Sequence, residues 1–467
     1  MNKKIALSIS DIQLINTIIF PDSEIIIFFG AAQRTSMGSK NEVVFILDKT
    51  KLAQFINNTK KRFTLVNYSS APLNHLETHI LLAGILDLSK TKKLKYQKYF
   101  FINNPDRTVR WFFPANNRTP CFLNLYNGSG LKANLFIAAS KFLNIVKGLS
   151  AITDGQFSIF HKKNESYKSN FSTVSFDDFA VFTGTIGENR KAIISLSSNG
   201  KATQFVKVPL TPAALTLVEN EFRQLDELGK HDYKITIVPD ARYHDAQIMV
   251  SNISPHQKDK NQDWSTIHWK SLAELYKNSY QQKSMIATPF WKTITEGIRF
   301  LKKPFSIKNG ISVKEIQSLK ILVEQTLKEI NPTQLFPLGI GHGDFTPWNM
   351  YVGKDRLHIY DWEMSQSEFP LLFDMYHYFF QKGILITREN FQTIWKNIQH
   401  QLNDKNAQQL ISSYHINQDQ HLKIYLLYIV CYYLPKYMAQ PRLHDQVHWL
   451  VATWLEAFQS IQYQEKI

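Results

Sequence analysis

Two carboxylates and an amide in the C-terminal third are the side chains best suited to chemistry in this chain. Gly341-His342-Gly343-Asp344-Phe345-Thr346-Pro347-Trp348-Asn349 is followed, twelve residues after Asn349, by Asp361-Trp362-Glu363. Met350-Tyr351-Val352, Gly353-Lys354-Asp355-Arg356 and Leu357-His358-Ile359-Tyr360 read as strand, turn and strand. A hairpin centred near Asp355 would bring Asn349 and Asp361 side by side. An amide oxygen beside a carboxylate suits Mg²⁺, a hard cation that takes oxygen ligands and keeps several waters. Asp344, in the loop before Asn349, is placed to accept a proton from a hydroxyl. Together the three residues suit transfer of a phosphoryl group from a nucleotide to a hydroxyl.

The elements that must position this set differ along the chain. Residues 1–165 read as a mixed α/β region, with β-rich runs at Glu24–Phe29, Val43–Leu47, Tyr99–Phe101 and Trp111–Phe113. Helical patterns fall at Lys51–Asn58 and Leu131–Leu149, and no catalytic constellation appears in this region. The polar stretch Lys162–Asn170 reads as a linker. Residues 177–254 then read as a small β-rich domain: strands at Phe179–Thr183, Ala192–Leu196 and Thr203–Val208, with Asn199-Gly200 as a hairpin turn between the last two. Pro212 opens a helix carrying Leu217, Glu221, Leu225 and Leu228, and Gly229 stands where it would end. Further strands are expected at Lys234–Val238 and Gln247–Val250. From 255 to 467 the pattern is mainly helical, as at Ser312–Ile330, apart from the stretch around the motif.

Composition limits the classes of protein this could be. The 467 residues are 44% hydrophobic and 13% aromatic, enough for sizeable cores and against disorder. A net charge of +15 favours anionic partners, among them nucleotides, phosphorylated substrates, nucleic acid and acidic membrane surfaces, or serves solubility alone. Cys121 and Cys431 are far apart and lack metal-ligand spacing, so neither a disulfide framework nor a zinc site is expected, and a reducing, cytoplasmic setting fits. The N-terminus starts basic but lacks a continuous apolar core with a cleavage site, so no signal peptide is expected. Leu422–Leu434 is the most apolar later stretch; it is too short to span a bilayer and reads as a buried helix.

His342-Gly343-Asp344, with Asn349 and then Asp361, resembles the catalytic loop and metal-binding segment of the aminoglycoside phosphotransferase and choline kinase group. Protein kinases carry H-R-D-x-x-x-x-N and D-F-G at these places. Here Gly343 replaces the arginine and Trp362-Glu363 replace Phe-Gly, both departures toward the small-molecule branch. The resemblance covers roughly residues 177–467. It implies an α+β, protein-kinase-like two-lobe fold: an antiparallel N-lobe at 177–254 and a helical C-lobe at 255–467. ATP and Mg²⁺ are the implied cofactors. Asp344 takes the catalytic position, and Asn349 and Asp361 take the metal positions. Lys207 resembles the strand lysine that meets the ATP phosphates, with Glu221 as its partner and Glu219 as the alternative. Gly184 and Gly187 take the place of the phosphate loop, although that segment departs from G-x-G-x-x-G. The adenine pocket would follow near Val250–Ile253. His342 and Asp374 are implied as supports of the loop, and Glu363 as a metal-site, substrate or structural residue.

The acceptor stays open among aminoglycosides, choline-like amines, sugars and lipid-linked saccharides, as does the role of residues 1–165. The aromatic C-terminal helices, with Tyr425, Tyr428, Tyr432, Tyr433, Tyr437, Trp449 and Trp454, serve either an acceptor pocket or a core. Two rivals stand beside the enzyme: a nucleotide-binding pseudokinase, and a basic protein that binds nucleic acid or an anionic membrane surface. No specific nucleic acid is expected, and membrane association would be weak.

Overall fold

Asn199 and Gly200 both adopt positive φ, 50° and 76°, the backbone of a two-residue turn whose twist matches the strands on either side. This hairpin belongs to a computed structural model that describes residues 94–126, 130–162, 176–244, 246–251, 263–304, 311–440, 443 and 445–464, with shorter pieces at 11, 14–15, 18, 25–29, 42–46 and 63–67. The expected helix at 51–58 and most of the linker at 162–170 lie outside the described residues. The chain forms two compact units, residues 1–216 with 242–251, and residues 217–241 with 252–467.

The strands are β1 (Ile25–Phe29), β2 (Glu42–Ile46), β3 (Phe63–Asn67), β4 (Leu94–Asn103), β5 (Val109–Pro114), β6 (Gly155–Lys162), β7 (Asp178–Phe182), β8 (Lys191–Ser198), β9 (Lys201–Pro209), β10 (Thr236–Ile237), β11 (Asp240–His244), β12 (Gln247–Ser251), β13 (Gln281–Ser284), β14 (Leu335–Gly341), β15 (Met350–Val352), β16 (Leu357–Ile359) and β17 (Gln366–Pro370). In the first unit an 11-stranded sheet runs β11-β12-β9-β8-β7-β5-β4-β6-β3-β1-β2. β1 is parallel to β2 and β3, and β4 to β9 pair antiparallel with their neighbours. Strands of 1–165 and strands of 177–254 other than β10 therefore share one sheet, joined where Trp111 and Phe112 of β5 face Phe182 and Val181 of β7. Side chains alternate across it, as the two-residue period of a strand requires. Phe101, Phe112, Phe179, Val181, Ile194 and Val206 fill the core on one face. Phe100, Phe113 and Ala180 face the other, where they meet Cys121, Phe122 and Leu149. Helix α1 (Leu131–Ile145) covers part of that second face with Phe136 and Leu143.

The second unit is mainly helical, with two small three-stranded sheets, β10-β16-β15 and β13-β14-β17. Helix α2 (Pro212–Leu228) begins in the first unit and ends in the second, and Gly229 closes it by donating to the Leu225 carbonyl. The others are α3 (Thr266–Ser279), α4 (Pro289–Lys302), α5 (Val313–Glu329, capped by Ser312), α6 (Phe373–Gln381), α7 (Phe391–Leu402), α8 (Lys405–Ser413), α9 (Gln418–Ala439) and α10 (Gln446–Gln464). α9 is the apolar helix of the sequence reading. Its residues 421–431 are all buried, including Lys423, whose ammonium meets Glu329 of α5 at 2.8 Å. No helix among the described residues is long and apolar enough to cross a membrane. Both cysteines are buried and free, and burial pushes each thiol up.

Two histidines of this unit are held neutral by burial. His268 on α3 and His421 on α9 are both lowered to about 4, in each case chiefly by desolvation. Between pH 4 and the ordinary histidine value near 6.5 the unfolded chain binds protons that the folded chain refuses. Stability is therefore full above about pH 6.5 and is lost as pH falls toward 4. Urea midpoints should fall across that window, and His421→Phe should flatten the slope. A midpoint constant from pH 7 to 4.5 would refute this.

Candidate active site

β14 carries the chain into the motif, and β17 brings it back beside β14, with Leu338 opposite Pro370 and Gly341 opposite Gln366. Everything from His342 to Ser365 is therefore a loop closed at its base, where the Ser365 hydroxyl donates to the Gly341 carbonyl at 2.7 Å. Within it, β15 and β16 form the expected hairpin, Met350 opposite Ile359 and Val352 opposite Leu357. β16 extends this pair by lying parallel to β10, which is two residues long where a five-residue strand was expected. The hairpin ends with the Tyr360 N–H donating to the Asn349 carbonyl at 3.0 Å, which puts Asn349 one residue out of step with Asp361.

Two features of the backbone explain the residue types. Gly343 takes φ 79°, and a Cβ there would lie 2.5 Å from the Met364 carbonyl oxygen, so only glycine fits at this position. Asp361 also adopts the left-handed region, φ 69°, ψ 56°, a conformation that Asp tolerates better than most residues and that gathers at functional sites. The turn it opens, Trp362–Met364, is pinned by Asn220 of α2, whose amide donates to the carbonyls of Glu363 and Ser365 at 3.0 and 2.9 Å.

The loop itself is braced from beneath. Asp374, in the first turn of α6, is buried and accepts the backbone N–H groups of His342 and Gly343 at 2.7 and 3.0 Å. Burial raises its carboxyl above the ordinary carboxylate value, and His342 with the two amides opposes that rise. His342 is fully buried; its Nδ1 accepts the Asp344 N–H at 3.2 Å and its Nε2 donates to the Tyr360 carbonyl at 3.0 Å. One imidazole therefore links the loop to the end of the hairpin just before Asp361.

Asp344 keeps about 30% of its side chain exposed, and each of its carboxylate oxygens has a donor. The Asn349 amide reaches Oδ2 at 2.8 Å, and His377 Nε2 reaches Oδ1 at 3.2 Å. His377 lies one helical turn after Asp374 on α6, is 1% exposed, and stacks on Phe373. Its Nδ1 has no hydrogen-bond partner among the described residues, so Nε2 is the nitrogen that donates. Tyr433 and Tyr437 are both raised, chiefly by burial and next by the charge of Asp344, Tyr437 to about 12.

A second group of oxygens lies on the hairpin side. Carboxylate oxygens of Glu221, Asp361 and Glu363 all fall within 4.8 Å of one another. Glu221 is almost fully buried on α2. It thus lies among acidic side chains of its own unit, whereas Lys207, buried on β9, belongs to the other unit. Gly184 and Gly187 also belong to the first unit. Gly184 takes φ 79°, and a Cβ there would sit 2.1 Å from the Lys191 carbonyl oxygen, so the closure of its own turn demands glycine; Gly187 is open. Arg190 in that turn directs its Nε–H to the Thr183 carbonyl at 3.1 Å. Of the expected adenine segment, Val250 and Ser251 are described and 252–253 are not.

Neither His377 nor Asn220 stands out from the sequence as a site residue. A signal for His377 existed in the three-residue spacing from Asp374, which puts both side chains on one face of a helix. Asn220 had none, because its partners lie 143 and 145 residues away.

No protein-family model and no curated protein sequence matches the chain. Solved structures do match. An ADP-bound aminoglycoside phosphotransferase aligns at 12% identity over 63% of this chain and 97% of its own, with a TM-score of 0.37. An amicoumacin kinase in complex with AMP-PNP, Ca²⁺ and Ami aligns at 12% identity over 60% of this chain and 88% of its own, TM-score 0.38. Choline kinase LicA from Streptococcus pneumoniae aligns at 14% identity over 63% of this chain and 97% of its own, TM-score 0.36. Over about 60% of its length, the chain is similar to solved structures of aminoglycoside phosphotransferases and choline kinases.

Proposed function

We propose that this chain is an ATP- and Mg²⁺-dependent phosphotransferase of protein-kinase-like fold, acting on a hydroxyl of a small molecule or saccharide. The observation that carries the reading is the Asp344 carboxylate, part-exposed and fixed by donors from two separate elements, Asn349 and His377. A carboxylate held in this way is an orienting acceptor for an incoming hydroxyl. The oxygen donor set fits Mg²⁺: the carboxylates of Asp361, Glu363 and Glu221 are hard ligands, and their like charges at close range favour a divalent cation among them. Asp361 and Asn349 would hold the ion, with Glu363 as a further ligand. When bound, it would neutralise charge on the phosphates.

In the reaction, the acceptor hydroxyl hydrogen-bonds to Asp344. Its oxygen forms the new bond to the γ-phosphorus as the bond to the bridging oxygen of ATP breaks. The hydroxyl proton passes to Asp344, and ADP leaves with the bonding pair. Lys207 would position the phosphates, and Gly184 and Gly187 would let backbone N–H groups approach them. Tyr433 and Tyr437, which feel the charge of Asp344, are suited to line the acceptor side.

The test is a screen of hydroxyl acceptors with γ-labelled ATP and Mg²⁺, with Asp344→Asn as the control. Label transferred by the wild type and not by the variant supports the reading. Nucleotide binding with no transfer to any acceptor class, and no hydrolysis, would favour a pseudokinase.

His377 positions Asp344 and is expected to act on kcat. His377→Phe keeps the stack on Phe373 but loses the donor. It should lower kcat by about 10- to 100-fold with KM for ATP little changed, since a misoriented acceptor residue costs rate more than nucleotide affinity. His377→Gln, which returns an N–H near Nε2, should recover much of the loss. Equal kcat in the wild type and the Phe variant would sink the assignment.

A further inference from the structure

Helix α1 has two apolar faces, and among the described residues only one of them is packed. Ala133 and Ser140 are buried, and Phe136 and Leu143 pack on the sheet core beneath. On the other side Leu131, Leu135, Phe142, Ile145 and the capping residue Val146 are 77%, 62%, 63%, 79% and 55% exposed. At about 100° per residue these side chains form one stripe along the helix, with Ala138 between them. Lys132 and Lys141 fall roughly 90° to either side of that stripe. The helix has no acidic residue in its first turn, and its sequence contains none at all. The charge bias extends well beyond it: from Arg107 to Thr153 the chain has six Lys and Arg residues and no Asp or Glu. Arg118 lies at the C-terminal end of the helix, where its carbonyl accepts from Asn144 at 2.8 Å, but its guanidinium is paired with Asp177 at 4.0 Å, so the free basic charge beside the stripe is that of the lysines.

We propose that the outer face of α1 seats on an anionic lipid surface. An apolar stripe that the described residues leave bare calls for a cover. Lysines on both flanks suit a lipid interface, since their stems lie along the apolar surface while their ammonium groups reach the headgroups. The same lysines oppose a second copy as the cover, because a two-fold contact would set like charges against each other. The helix is too short to span a bilayer, so it would lie in the interface plane. The proposal concerns the first unit alone and stands apart from the catalytic reading.

The test is co-sedimentation of the full chain with vesicles of phosphatidylcholine, or of phosphatidylcholine with about 30% phosphatidylserine, a composition that gives the negative surface such a helix needs. The wild type should pellet with the anionic vesicles, release as salt rises, and stay in solution with the neutral ones. Leu135→Glu with Phe142→Glu should lower the partition at least about tenfold. Lys132→Glu with Lys141→Glu should lower it by a similar factor. All four positions are exposed, so melting temperatures should not move. Phe142→Trp should show a blue-shifted emission on anionic vesicles. The proposal is overturned if the wild type does not bind, if the Leu135/Phe142 variant binds as well as the wild type, or if the Trp emission stays that of an aqueous indole. It is also overturned if the stripe variants only dissolve a dimer that shows no vesicle binding.

Discussion

Asp344→Asn is expected to lower phosphoryl transfer by about a thousandfold, near the middle of the range for loss of a positioned proton acceptor. The change is nearly isosteric, so the loop should survive it. The cost in stability should stay near 1–2 kcal/mol, because an amide can offer only one oxygen to two donors and one of them loses its partner. KM for ATP should change little, since Asp344 faces the acceptor side in the proposed reaction. Asp355→Asn is the matched control: it lies in the same segment, exposed at the hairpin turn, and should leave the rate unchanged. Single-turnover transfer from labelled ATP measures the effect. A variant within threefold of the wild type would remove Asp344 from the proposed chemistry.

Asp374→Ala is expected to cost about 3–5 kcal/mol in urea unfolding. Its carboxylate is buried and takes up the N–H groups of both His342 and Gly343. Truncation leaves two buried donors without acceptors and opens a small cavity beneath the loop, and each donor carries a desolvation penalty of about 1–3 kcal/mol. Asp374→Asn keeps one acceptor oxygen and should fall in between. Because His342 sits on this brace and links to Tyr360, transfer should fail in the Ala variant even where it remains folded. A cost below about 1 kcal/mol would mean that water replaces the carboxylate and that Asp374 is no brace.

Features that depend on neighbours in sequence were legible in advance. The Asn199-Gly200 turn, the helix opened by Pro212 and closed by Gly229, the helix within Ser312–Ile330 and the Met350–Ile359 hairpin all follow from local backbone preferences. The buried helix around Leu422–Leu434 followed from composition, although Lys423 within it needed Glu329 of another helix to be tolerated there. Strand order did not follow from the sequence. The register of β5 on β7, which merges residues 1–165 and 177–209 into one sheet, depends on which aromatic faces find cover, and no local preference encodes that.

By itself, then, the sequence determined the types and order of the chemical groups: a loop with Asp344 and Asn349, a hairpin, and Asp361 with Glu363. It determined them because turn, strand and cap preferences act over a few residues. Tertiary structure alone decided the directions of the side chains. It turned the Asn349 amide onto Asp344, brought His377 to the other oxygen of that carboxylate, and set Glu221 beside Asp361 and Glu363. Those contacts join residues as much as 142 positions apart, and they form only because burying α2, α6 and the hairpin together leaves each polar group to find its partner within the fold.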